Sequence, residues 1–418
     1  MSPVSAIPLR SWRDRAVLAA ALVSLMSGIG QFGAVAALGD VARAFGQMHD
    51  GATLADRAGL SGTELGVGLA IIRLASLGGL PVSGLADRLG RRRVALGAVT
   101  AGLALTALTS ASPGYWWFVA IFAAGRPLLS AADALVGVMA GEYTASADRA
   151  RAVALVAAGY GVGAGIIALI HSAGLGWLGF RGLFALTVVP LALLPLLRRW
   201  LVEPDRFVTV AAQRGQALPV LGAVGRPFRR RLVVVAAVAF SVSVLTGPAN
   251  TFVFLYAQNV RHESGAVTAG MVVGAGLTGF IGLVVGQWTA DRFGRRPTCS
   301  AALGAMVVCG VVTYSGSVPA MLVGYLAGVG AGSTLAPAVG AMVNEIFPTP
   351  VRASVMGWWV AAGVAGAAVG LVVFGAVADV GDQFRVAAAV TFVPVAAAAG
   401  LFWMLPESKG REPEDMAA

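Results

Sequence analysis

Ser83 to Arg92, reading SGLADRLGRR, returns 204 positions later as QWTADRFGRR at Gln287 to Arg296, and each copy lies between two apolar stretches long enough to cross a bilayer. A second pair keeps the same period: Glu142 and Arg149 share their seven-residue spacing with Glu345 and Arg352, offset by 203. Two unrelated motifs at offsets of 204 and 203, close to half of the 418 residues, imply a duplicated chain. The simplest account is two homologous halves.

Composition says what solvent these halves need. Only 12% of residues are charged and 57% are hydrophobic, a balance that would leave a water-soluble chain with a grossly apolar surface. The lipid bilayer is the expected solvent. A formal charge of +10 invites a nucleic-acid reading, but the basic residues fall in short loops and no basic face interleaved with aromatics occurs, so no nucleic acid is expected. Cys299 and Cys309 share one apolar segment, which implies neither a disulfide framework nor a metal site. Arg10, Arg13 and Arg15 precede the first apolar run without a recognisable cleavage site, so that run is read as retained.

A crossing needs about 20 apolar residues. Twelve stretches qualify: Ala16–Leu38, Leu65–Leu85, Val94–Ala111, Tyr115–Ala140, Val153–Ile170, Gly182–Leu197, Leu232–Tyr256, Val267–Ala290, Thr298–Tyr314, Pro319–Val343, Val355–Val377 and Val386–Met404. The fold class is therefore an all-α integral membrane protein of 12 transmembrane helices in two pseudo-symmetric six-helix halves. Residues 1–197 form the first half, 198–231 an arginine-rich cytoplasmic linker, and 232–418 the second half with a short tail. Lys and Arg on alternate sides number 23 and five, which puts both termini in the cytoplasm of a multi-pass protein of the cell membrane. Glycines from Gly159 to Gly165 and from Gly363 to Gly370 are spaced for close helix approach. Pro127, Pro248 and Pro337 fall inside helices 4, 7 and 10, where a missing amide donor favours a bend.

The count leaves two cations inside the membrane, Arg73 in helix 2 and Arg126 in helix 4. An arginine at the bilayer centre costs at least ~2.5 kcal/mol on insertion scales. At 1.5 Å per residue both lie roughly 21 to 24 Å from the cytoplasmic motifs, hence at similar depth. Asp133 follows Arg126 by seven residues, two turns along the same helix face. Two readings stand. These charges form ion pairs that fix packing, or they build a midplane anion site with Asp133 as a proton-linked switch. Two embedded positive charges exceed one embedded negative, an imbalance that a substrate carboxylate would offset. Gln31, Asn250 and Tyr256 lie at similar depth in helices 1 and 7, as packing hydrogen bonds or as substrate contacts. His171 reads as a loop histidine, and Trp116 with Trp117 as part of an interfacial belt. Neither H-E-x-x-H, G-x-x-x-x-G-K-[ST] nor G-x-S-x-G occurs, so no enzyme, metal centre, cofactor or nucleotide-driven pump is expected.

The repeated motif has its own logic. Gly90 and Gly294 permit a tight turn between helices, and Asp87 and Asp291 stand one turn before Arg91 and Arg295. With Glu142, Arg149, Glu345 and Arg352 they form a candidate cytoplasmic gate. The aspartates would act through charge pairs or by sitting at a helix N-terminus.

The motif at Ser83 to Arg92 resembles the major facilitator superfamily signature G-x-L-A-D-R-x-G-R-R, with Ser83 in place of the leading glycine and Gln287 and Thr289 departing in the second copy. Narrower similarities point to the sugar-porter and metabolite:proton symporter branches. Gly125 and Arg126 match their helix 4 G-R, and NEIFPTPVR at Asn344 to Arg352 looks like their E-x-F-P-T-x-x-R. Glu203 to Arg206 loosely resembles the end of their helix 6, and PESKG at Pro406 to Gly410 is similar to their C-terminal P-E-[ST]-K-G. The resemblance implies alternating-access transport of a small solute through helices 1, 4, 7 and 10. In proton-coupled sugar porters an acid in helix 1 faces the helix 4 arginine; here Gly28 to Gly33 offers only Gln31, which leaves Asp133 for proton coupling. The leading expectation is proton-coupled symport of a small organic anion by a monomer. Drug efflux by antiport, transport of a neutral sugar or polyol, and a non-transporting membrane sensor are the alternatives. The drug-exporter helix 5 motif, ending G-P-x-x-G-G, is missing from Gly159 to Ile170.

Overall fold

The computed structural model describes residues 11–48, 54–172, 179–204, 224–380 and 384–409. Arg206, Gly410 and the middle of the central loop, 205–223, lie outside the described residues. Among the described residues twelve helices are long and apolar enough to span a membrane: α1 Arg15–Ala36, α2 Gly62–Leu89, α3 Arg91–Ala111, α4 Tyr115–Tyr143, α5 Arg151–His171, α6 Gly179–Trp200, α7 Arg226–Val260, α8 Gly265–Phe293, α9 Arg295–Thr313, α10 Val318–Ile346, α11 Ser354–Ala378 and α12 Phe384–Met404. In lipid a backbone amide finds no water, so each span satisfies its own backbone by forming a helix. Asp14 starts α1 by accepting from the Ala16 amide at 2.8 Å, and Ser317 starts α10 by accepting from that of Ala320.

The spans are less regular than the hydropathy pattern predicts. Short 3₁₀ segments interrupt α2 at Ser76–Gly78 and α6 at Leu186–Leu193, a π turn ends α7 at Tyr256–Val260, and most of α12 is 3₁₀. Hydropathy records that a stretch is apolar and says little about its winding. Pro127, Pro248 and Pro337 all lie within continuous helix.

By contacts the chain divides into two compact units, Met1–Ala37 with Ala75–Leu218, and Leu38–Leu74 with Pro219–Ala418. In the first unit α1 packs against α5 at backbone distance: a Cβ on Gly163 would lie 2.0 Å from the Leu25 carbonyl oxygen, and one on Gly159 2.4 Å from that of Ala21. The second unit repeats the device between α7 and α11, where Gly366 and Gly370 meet the carbonyls of Phe240 and Val244 at 2.1 and 2.2 Å. These are the glycines whose spacing forecasts close approach.

Duplication does not predict where α2 is divided. Its N-terminal part groups with the second unit, because Gly62 and Gly66 lie against the backbone of Gly375 and Leu371 in α11. Asp379 then accepts from the amides of Gly62 and Thr63, the latter at 2.8 Å, and so caps the start of α2 from a distant element. From Ala75 onward α2 belongs to the first unit, where Gly78 and Gly79 lie against Pro127 of α4.

Candidate functional site

In the first unit a polar seam joins α1 to α4. Ser24, Ser27 and Gln31 recur at spacings of three and four, which puts them on one face of α1. That face meets α4. Ser24 Oγ donates to Asp133 Oδ1, and Ser27 Oγ donates to the Leu129 carbonyl at 2.8 Å. Gln31 Nε2 donates to Ser27 Oγ at 2.7 Å, and Arg126 Nη1 donates to the Gln31 carbonyl at 3.2 Å. Gln31 is buried, while Arg126 and Asp133 are half-buried. Three of the expected residues, Gln31, Arg126 and Asp133, thus come together, with Gln31 joined to Arg126 through its backbone. Ser24 and Ser27 escape a reading that looks only for charges and amides. Their signal is a row of hydroxyls at helical spacing leading up to Gln31.

Arg73 is half-buried on the part of α2 that groups with the second unit, whereas Arg126 belongs to the first. Similar depth along two helices therefore says nothing about which neighbours the two arginines share.

The second unit encloses a cavity of ≈ 540 Å³ lined mainly by α7, α9, α10 and α11. α10 presents Gly328, Gly332 and Gly340 to it, while Gly324 lets α9 approach, since a Cβ there would lie 2.6 Å from the Thr313 amide nitrogen. Among the described residues no charged side chain lines the cavity; its polar groups include Asn250, Thr313, Tyr325, Ser333 and Trp359. Asn250 donates through Nδ2 to the Thr246 carbonyl at 3.0 Å, one turn back, which leaves its side-chain oxygen as an acceptor. Tyr325 stands edge-on to Phe254 at 6.0 Å. Of the two expected α7 residues only Asn250 lines this cavity. Tyr256 is buried in an aromatic cluster, with ring centroids 5.2 Å from Tyr314 and 5.0 Å from Phe384. Among the described residues Tyr325 of α10 and Trp359 of α11 are the aromatic residues of the cavity, and no charge or motif in the sequence singles them out.

The repeated motifs build one cluster in each unit. Arg91 pairs with Glu142 and, at 3.4 Å, with Asp87; Arg295 pairs with Glu345 at 3.2 Å and with Asp291 at 2.8 Å. The arginine is the hub of each. Arg149 and Arg352 do not pair with the glutamates seven residues before them. Their Nε atoms donate to the Gly141 and Phe347 carbonyls at 3.1 and 2.9 Å, near the ends of α4 and α10. Gly90 and Gly294 have φ of +94° and +107°, a region that penalises any Cβ, so the expected tight turns are present.

The carboxylates at the following helix starts are neither Asp87 nor Asp291. Glu203 accepts from the amides of Arg91 and Arg92 at 2.6 and 3.0 Å; Glu407 accepts from those of Arg295 and Arg296 at 2.9 and 3.0 Å. Burial pushes the Glu407 carboxyl up, but these two amides and those of Lys409 and Ser408 outweigh it and hold the group below its ordinary value. Glu203 and Glu407 are themselves 204 residues apart, so the repeat period could have paired them.

Comparison with known proteins agrees with this architecture. The family model described as Major Facilitator Superfamily matches residues 20–319 and 275–417. A protein of Cupriavidus pinatubonensis named "Probable 4-methylmuconolactone transporter" is 25% identical over 373 residues, 84% of each chain. The gentisate transporter of Corynebacterium glutamicum is 24% identical over 311 residues, covering 70% of this chain and 68% of its own. Among solved structures, a point mutant of the nucleoside transporter NupG superposes with a TM-score of 0.78 at 12% identity, over 93% of this chain and 99% of that one. The inward-open xylose transporter XylE from E. coli gives 0.71 at 19% identity, over 96% and 98%. With a duplicated twelve-helix architecture, a matching arginine-centred cluster in each half and a family match that spans nearly the whole chain, this protein belongs to the Major Facilitator Superfamily of membrane transporters.

Proposed function

We propose that this transporter takes up a small organic anion together with protons, by alternating access. The observation that carries the proposal is the seam in the first unit: a cation, Arg126, and an acid, Asp133, lie on one face of a membrane span, about 10 Å apart along the helix, and both bond to α1. In this reading Arg126 holds the carboxylate, for which a planar guanidinium supplies a two-pronged donor. Asp133, next to Ser24, takes up the proton. Two relatives whose names carry gentisate and 4-methylmuconolactone support this substrate class. Both termini are assigned to the cytoplasm from the loop charges, and the working unit is taken as one chain.

Reconstitution into proteoliposomes with labelled gentisate tests the proposal. Saturable uptake is expected, lost in Arg126→Ala and partly restored in Arg126→Lys. A neutral sugar as the best substrate, moved equally by parent and Arg126→Ala, would overturn the anion reading.

A further inference from the structure

At the ends of α2 and α6, where α3 begins, lies a second cavity of ≈ 490 Å³ whose lining includes Arg92, Arg93, Arg198 and Arg199. Among the described residues Glu203 is its one carboxylate, and both of its oxygens already accept from the backbone amides of Arg91 and Arg92. Among the described residues none of these four arginine side chains forms an ion pair. Arg92 is pinned by a 2.6 Å bond from Nη2 to the Arg198 carbonyl, while its Nε is buried with no partner.

Helix electrostatics account for half of this cluster. Arg198 and Arg199 sit in the last turn of α6, where a positive charge offsets the negative end of the helix. Arg92 and Arg93 sit in the first turn of α3, the end where a positive charge is unfavourable; the turn itself contains no acid, and Glu203 alone meets its amides. Arg93, Arg198 and Arg199 are exposed and Arg92 is half-buried, so against four cations and one orphaned donor the cavity offers the single carboxylate of Glu203, which the α3 amides already engage, and a second anion would offset the remaining charge.

The duplication supplies an independent copy. A cavity of ≈ 370 Å³ in the second unit is lined by Arg296, Leu405 and Pro406, the counterparts of Arg92, Leu201 and Val202 at an offset of 204. Arg230 and Arg231 complete it from near the start of α7, just past its opening 3₁₀ turn at Arg226–Phe228. The Nε of Arg296 is again buried without a partner.

We infer that the arginine cavity of the first unit is a binding site for a phosphate group, separate from the substrate seam, and that its twin in the second unit is a weaker version with fewer cations. Guanidinium forks match phosphate oxygens bidentately. Because the cavity adjoins the ends of two membrane spans, the phosphate can be borne by a lipid headgroup or be free in solution. Basic pockets between spans favour anionic headgroups.

The test uses the purified full chain, delipidated in uncharged detergent, with bound lipid counted by native mass spectrometry and affinity read from titrations with phosphatidylglycerol, phosphatidylcholine and inorganic phosphate. Phosphatidylglycerol is expected to bind about ten-fold more tightly than phosphatidylcholine, weakening as salt rises. The variant carrying Arg93→Gln, Arg198→Gln and Arg199→Gln is expected to retain one phosphatidylglycerol fewer, with at least a roughly ten-fold loss in affinity. Arg198→Lys with Arg199→Lys keeps the charge and most of the binding, and serves if the triple variant does not fold. Inorganic phosphate competing with phosphatidylglycerol at millimolar concentration would identify the soluble form as the ligand; phosphatidylglycerol binding without such competition would identify the lipid. Binding that is the same in parent and triple variant, or binding of none of the three probes by the parent, would overturn the inference.

Discussion

Ser24 donates a hydrogen bond to the carboxylate of Asp133 across the seam between α1 and α4, joining residues 109 positions apart. An acid so placed inside a membrane span has two possible charge states, and each makes a different bond. Ionised, it accepts from Ser24; protonated, it can donate as well. Asp133→Asn keeps an acceptor for Ser24 and removes the titration. The expected outcome in proteoliposomes is that the variant still exchanges substrate across the membrane but no longer accumulates it against its gradient when a pH gradient is imposed. An asparagine variant that concentrates substrate like the parent would make Asp133 a packing residue.

The arginine-centred clusters rank their own acids by weight. Arg91 is only 16% exposed in its side chain, and of its two acids Asp87 is 45% exposed at 3.4 Å whereas Glu142 is 25% exposed and closer. Exposed ion pairs contribute about 0 to 1 kcal/mol, while a partly buried guanidinium that loses its less solvated partner loses more. Turnover is therefore expected to fall further in Glu142→Gln than in Asp87→Asn, with smaller changes in substrate affinity in both. Initial uptake rates and binding titrations on the two variants check the order; a larger effect of Asp87→Asn would reverse the assignment.

The sequence makes the fold and these clusters legible, because both depend on periodicity. A bilayer demands long apolar runs, and duplication doubles every signal, so Asp87, Arg91 and Glu142 can be found by looking for Asp291, Arg295 and Glu345. The candidate site is legible only where it is charged. Arg126 and Asp133 stand out because an ionised group in a membrane span must have a reason, whereas Ser24 and Ser27 look like ordinary small residues until their partners on α4 are known. Tyr256 and Tyr325 illustrate the same limit. Both are tyrosines in apolar helices, yet one packs among Tyr314 and Phe384 and the other lines the cavity. Which face of a span meets a cavity is decided by neighbours far away in the chain.

Glu407 gives the protein a pH-dependent contribution to stability. Its carboxyl is held below the ordinary value of 4.5 by backbone amides at the start of α9 and in the tail, against the upward push of burial. A carboxyl whose folded value is lowered stabilises the fold in full above its unfolded value, and that share is lost as pH falls through the folded value. Glu407→Gln should therefore melt at a lower temperature than the parent near pH 7, with the gap closing as pH drops below about 4. Thermal melts of both proteins in detergent across this range measure it; a gap that persists at low pH would mean that the contribution comes from shape and not from charge.

The cavity of the second unit can be filled without disturbing the core around it. Ala336 lines the cavity and is exposed, so a larger side chain there grows into empty space and does not force a packed neighbour aside. Neighbouring positions differ: Ala338 and Val339 are buried, and enlarging either would strain α10 itself. If this cavity receives substrate, Ala336→Trp competes with it directly. The expected result is a loss of uptake of about ten-fold or more, the scale on which each 1.4 kcal/mol of lost binding acts, with a melting temperature close to that of the parent. Ala336→Ser, which adds a single hydroxyl, should retain most of the activity. Gentisate uptake and thermal melts on the two variants separate the possibilities. A tryptophan variant that transports like the parent would show that substrate does not enter this cavity, and one that fails only because it no longer folds would be recognised by its melt.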